Sequence, residues 1–141
     1  FDVNVLKSLD SPNDKNINIG SELDAYRPTL IILCRYNGRY AAQILKWAYL
    51  HMAPVIYHID DDLLDVPYEL GLDKFRHHNT PKRINTLKNT LDTADFIYCS
   101  TDRLKDKLKS HGIVRPIIAG NIASSSHVIV QSTTLGFIIH L

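Results

Sequence analysis

Four short apolar runs punctuate the middle of this chain: residues 29–34 (TLIILC), 55–59 (VIYHI), 96–99 (FIYC) and 116–119 (PIIA). Each has the length and the β-branched or aromatic content of a buried strand. Between the first two, Tyr40, Ile44, Trp47, Ala48 and Met52 recur at helical spacing, which predicts an amphipathic helix over 39–52 that Pro54 stops. Thr80 followed by Pro81 is a helix start, an N-cap and then Pro at the first helical position, with Ile84, Leu87, Leu91 and Ala94 as the buried stripe. Ser100 or Thr101 caps a further helix whose inner face is Leu104 and Leu108 and whose stop is Gly112. Residues 68–78 are helical in pattern but interrupted by Gly71. Upstream, 3–6 suits a short strand and 7–20 a polar loop, while Ser21 with Asp24 has the form of a capping box for a brief turn closed by Pro28.

Strand, helix, strand, helix, strand in succession implies crossover connections. The expected class is therefore α/β, a Rossmann-like parallel sheet with helices on both faces. The serines at 124–126 look like a flexible join, after which 127–130 and 135–139 are apolar and β-prone. A boundary near residue 123 is expected, dividing a domain over 1–122 from a linker and the start of a following segment over 123–141. The chain begins at Phe1 rather than Met and ends on an apolar run, which reads as a piece of a longer protein.

Composition narrows the function classes. With 141 residues, 45% hydrophobic and 22% charged, the chain is long enough to bury a core without staples. A formal charge of +1 supplies no general attraction to nucleic acid. Cys34 and Cys99 both fall in strand-like runs, where a reduced Cys acts as a small core hydrophobe, as suits a reducing cytoplasm. No C-x-x-C or Cys/His cluster suggests zinc.

The candidate chemistry sits where the second run stops. Asp60, Asp61 and Asp62 follow Ile59 directly, with Asp65 close behind. In an open parallel sheet, ligands bind at the carboxyl ends of the strands, where these acids would stand. Crowded carboxylates need a cation, hydrogen-bond donors or a hydroxyl-rich ligand nearby, and one of them can serve as a general base. N-capping and solvated loop acids are the plainer alternative. Arg35, just past the first run, can face the same cleft and pair with the acids or with an anion. Ser100 and Thr101, at a helix N-terminus, can hold an anion or hydroxyl, though simple capping suffices. Tyr26, Tyr36, Tyr40 and Trp47 offer aromatic surface for a sugar, but Tyr40 and Trp47 fit the core stripe better. His58 fits a packed core histidine. His77 and His78, beside Arg76, Lys82 and Arg83, make a basic patch suited to phosphate or anionic lipid, with a mobile solvated loop as the plainer reading. There is no G-x-G-x-x-G after a strand, no P-loop and no G-x-S-x-G, which removes support for nicotinamide binding, P-loop phosphate binding and α/β-hydrolase chemistry.

Taken together, RPTLIILCRY, APVIYHIDDDLLDVP, TADFIYCSTDRLKDKL and the turn AGNIA resemble the N-terminal domain of GT-B fold glycosyltransferases, in the group that includes bacterial polysaccharide and O-antigen sugar transferases. The resemblance covers about residues 28–122 and matches Arg35, Asp60 to Asp62, Pro67, Asp95, Ser100, Thr101 and Asn121. It implies a transferase that moves a sugar from a nucleotide-sugar donor to a saccharide or lipid-linked acceptor, generally without a metal. The acceptor side would be this domain, with Asp61 and Asp62 as catalytic candidates and Arg35, Tyr36, Asp60, Asp65, Ser100, Thr101 and Asn121 as substrate contacts. The donor domain with its paired glutamates does not fit in residues 123–141, so no cofactor is expected here and the chain alone should be catalytically incomplete. The implied setting is the cytoplasm or the inner face of the membrane, with peripheral membrane contact as a further option and no nucleic-acid partner. Three rivals stay open. Asp60, Asp61 and Asp62 also resemble the strand-terminal D-x-D of haloacid-dehalogenase-type phosphohydrolases, or the metal-binding D-x-D of GT-A transferases, and a non-enzymatic α/β binding module needs no chemistry at all.

Overall fold

The computed structural model describes residues 3–7, 17–120 and 136–140. Six parallel strands form one sheet in the order β1-β6-β2-β3-β4-β5. They are β1 (Val3–Lys7), β2 (Ile31–Cys34), β3 (Val55–Ile59), β4 (Phe96–Cys99), β5 (Ile117–Ala119) and β6 (Gly136–His140). The helices are α1 (Ile19–Tyr26), α2 (Ala41–Leu50), α3 (Leu72–His78), α4 (Pro81–Thr93) and α5 (Asp102–Ser110), with a 3₁₀ turn at Tyr68–Leu70 before α3. The class is α/β and Rossmann-like, and β2 to β5 lie side by side in chain order. The last strand, β6, comes from the segment expected to follow the domain, and it pairs with both β1 and β2.

Burial along β2, β3 and β4 has a period of two. Ile31, Leu33, Val55, Tyr57, Ile59, Ile97 and Cys99 are buried in one core with Ile19 and Leu23 of α1, Ile44 and Trp47 of α2, Leu87 and Leu91 of α4, and Leu104 and Leu108 of α5. The intervening Ile32, Cys34, Ile56, His58, Phe96 and Tyr98 are half-buried. An all-apolar run such as IILC hides this difference, because its two faces carry similar side chains.

Helix ends differ from expectation in two places. Asn18, not Ser21, caps α1, its side chain accepting from the Ser21 amide at 3.3 Å. Asp24 serves elsewhere, its carboxylate accepting from Trp47 Nε1 at 2.7 Å and so joining α1 to α2. Helix α2 stops at Leu50, short of the expected 52, and Met52 is 91% exposed rather than part of the stripe. The chain leaves α2 through a Schellman turn, Met52 N to Tyr49 O and Ala53 N to Ala48 O, with Met52 in the left-handed region at φ 54°. The same turn closes α5 with a residue that suits it, Gly112 at φ 86°.

Candidate functional site

The β3 carboxyl end is built by its own loop. After Ile59 the chain turns at once, with Leu63 N bonding to Asp61 O at 2.9 Å and Leu64 N to Asp62 Oδ1 at 3.2 Å. Leu63, Leu64 and Val66 are buried and anchor the loop, so the three acids between strand and anchor have little freedom. Asn79, just past α3, locks the far end by accepting from Val66 N and donating to Val66 O at 2.8 Å. These bonds replace a strand neighbour on an otherwise open segment.

Arg35 stands opposite. It continues from β2 in the left-handed region at φ 55°, its amide held by His58 O at 2.9 Å. A non-glycine residue there is strained by about 1 kcal/mol or more. The conformation directs the guanidinium across the strand ends, where Nε meets Asp60 at 3.3 Å and Nη2 meets Asp61 at 3.1 Å. Arg35, Asp61, Asp62 and Asp65 line one cleft of about 460 Å³ with Leu63, Val66, Pro67, Leu70, Lys74, His78 and Lys107.

The three adjacent acids are not equivalent. The Asp62 side chain is only 11% exposed and both its oxygens are engaged, Oδ1 with the Leu64 amide and Oδ2 with Lys107 Nζ and His111 Nε2, each at 3.2 Å. It ties the loop to α5. Asp61, at 64% exposure, has Arg35 as its ion-pair partner, and Asp60 shares that arginine. Asp61 is therefore the acid best placed to meet a ligand. Asp65 also opens to the cleft.

Other expected site residues are placed differently. Tyr36 is fully buried and its hydroxyl accepts from the Tyr40 amide at 3.2 Å, so it offers no surface to a sugar: its ring fills the core beneath the strand ends. Thr101 caps α5, Oγ1 accepting from Leu104 N, and Ser100 Oγ donates to Asp60 O at 3.2 Å, a tie between the ends of β4 and β3. Ser100 and Thr101 line a separate recess with Asp102, Ala119 and Gly120, not the acid cleft. Asn121 lies outside the described residues. Asp95 acts at the opposite end of β3, where its carboxylate accepts from Val55 N at 2.7 Å. Among the described residues no group of His, Cys, Asp and Glu is arranged to hold a metal ion, and no helix is long and apolar enough to cross a membrane.

Lys107, His111 and Lys74 are not legible as site residues in the sequence. Lys107 and His111 reach Asp62 across 45 or more positions, and their only local signal is a basic helix end. Burial pushes the Cys34 thiol up, aided by Asp60, which favours its protonated form. Compared with protein-family models, with curated proteins and with solved structures, the chain finds no match.

Proposed function

We propose that this chain is the acceptor-side, N-terminal domain of a GT-B type glycosyltransferase, working on a saccharide or lipid-linked acceptor at the cytoplasmic side of a membrane. The observation that carries the reading is the meeting of Arg35 with Asp60 and Asp61 at the carboxyl ends of β2 and β3, where Arg35 and Asp61 line a cleft of a size for one or two sugar rings. Exposed carboxylates beside a guanidinium suit a ligand rich in hydroxyls, because each oxygen accepts from an OH while the arginine offsets their mutual repulsion. Asp61 is the acid that would receive the acceptor hydroxyl's proton. Asp62, fully engaged by α5, holds the loop. In this reading the nucleotide sugar binds elsewhere, and this chain binds acceptor without turning it over.

Isothermal titration of the chain with saccharides, lipid-linked saccharides and nucleotide sugars tests this. Acceptor-type saccharides should bind, nucleotide sugars should not, and Asp61→Asn should weaken saccharide binding about tenfold. Tight binding of nucleotide sugars with none of saccharides would overturn the assignment.

A further inference from the structure

Among the described residues, three buried polar side-chain atoms have no hydrogen-bond partner: Tyr57 Oη, His78 Nδ1 and Arg83 Nε. Buried polar groups are nearly always satisfied, so each needs an explanation. His78 and Arg83 are neighbours through His77, whose Nε2 lies 2.7 Å from Arg83 Nη1 and whose ring centroid is 5.0 Å from that of His78. Arg35 and Arg83 both act electrostatically on Tyr57, and the same two arginines act on His78 together with His77 and Lys74. Tyr57 is wholly buried at the centre of β3, and His78 and Lys74 of α3 line the acid cleft.

Arg83 makes the case specific. Its Nη2 donates to Asn37 Oδ1 at 2.7 Å and its Nη1 lies 2.7 Å from His77 Nε2, so both partners are uncharged acceptors when His77 presents a lone pair. The ion pairs among the described residues use Arg35, Lys107, His51 and His111, and none compensates Arg83. A half-buried guanidinium that stays charged and lacks a counter-ion is costly unless something anionic joins it. Burial and the surrounding cations hold His78 below the usual histidine range. An anion beside His78 would offset the uncompensated charge of Arg83 and favour the imidazolium of His78.

We propose that His78, Lys74 and Arg35, which line the acid cleft, together with Arg83 beside His77, form a site for a phosphate or pyrophosphate oxyanion on the α3 side of that cleft. Cationic donors on separate side chains suit the oxygens of a tetrahedral anion. The acids across the cleft suit hydroxyls, so a phosphate ester of a polyol complements both sides. Naming the ligand as an acceptor rests on the proposed function; the oxyanion site does not. The same chemistry comes from a soluble sugar phosphate or from a lipid-linked pyrophosphate headgroup.

The chain should bind inorganic phosphate and pyrophosphate saturably in titrations at ionic strength held constant with chloride. In NMR the His78 ring should titrate at higher pH when phosphate is present, because an adjacent anion favours the imidazolium. Arg83→Gln should weaken phosphate binding about tenfold or more, and Lys74→Gln, at an exposed helix position, several-fold without disturbing the fold. A sugar 1-phosphate and a polyisoprenyl pyrophosphate in nanodiscs, compared side by side, identify the source by which binds more tightly than inorganic phosphate. If Arg83→Gln fails to fold, Lys74→Gln with the His78 titration decides. Absence of binding above the chloride control, or binding that neither variant weakens, overturns the site. Phosphate binding without saccharide binding would keep this site and remove the transferase reading, whereas saccharide binding alone would do the reverse.

Discussion

Asp61 and Asp62 are neighbours of the same chemistry, yet replacing each by Asn should have opposite consequences. In Asp62→Asn the side-chain oxygen can still accept from the Leu64 amide, so the loss is confined to Lys107 and His111. The half-exposed Lys107 pair is worth about 0.2–1 kcal/mol, and the more protected contact to His111 about 0.5–1.5 kcal/mol. With a cationic helix end left facing an amide, the total destabilisation is about 1–3 kcal/mol. For a chain of this size that lowers Tm by about 3 to 12 °C. Asp61→Asn removes one pair at a carboxylate that is 64% exposed, so its stability should change by about 0.5 kcal/mol or less. Urea and thermal denaturation of both variants, with Lys107→Met and its double mutant with Asp62→Asn, measure this directly. The double-mutant cycle should show coupling of about 0.5 kcal/mol or more. Equal destabilisation by the two asparagines, or no coupling between Asp62 and Lys107, would refute the division of the triplet into a structural acid and a ligand-facing one.

Other expectations separate strain from function. Arg35→Gly relieves the left-handed backbone at φ 55° while deleting both carboxylate pairs, so stability should hold within about 1 kcal/mol as saccharide binding is lost; a large fall in stability would contradict the strain argument. Met52→Gly places glycine where the Schellman turn requires a positive φ and removes only an exposed side chain, raising stability by about 0.5–1 kcal/mol in chemical denaturation. The depressed His78 means the unfolded chain binds its proton first as pH falls. Stability should therefore decline as pH drops below the ordinary value of 6.5, and in His78→Gln that part of the decline should disappear when urea midpoints are compared at pH 8 and pH 5.5.

Strand and helix positions are legible because burial imposes a period on the chain. The spacing of Leu87, Leu91 and Ala94, or of Leu104 and Leu108, is the trace of a helix face pressed on a sheet. The start of α4 at Pro81 and the stop of α5 at Gly112 are equally plain, since backbone chemistry restricts those residues wherever they occur. Met52 misleads because an apolar residue in phase with a helix looks the same whether it continues the stripe or turns the corner. The cap of α1 is ambiguous because Asn18 and Ser21 both suit the role, and Asp24 finds a better partner in Trp47.

By itself the sequence determined the α/β alternation, the abrupt end of β3 at three aspartates and the nearness of Arg35 to that end. These follow from local propensity and from the rule that a parallel sheet gathers its strand ends on one edge. Tertiary structure alone decided which aspartate is committed to α5, that Tyr36 is sealed in the core, and that Arg83 meets Asn37 and His77 rather than a carboxylate. Those outcomes depend on contacts between residues far apart in the chain, such as Asp62 with Lys107 and His111 or Asn37 with Arg83, whose distances are set by how helices settle on the sheet. No periodicity in the chain records them.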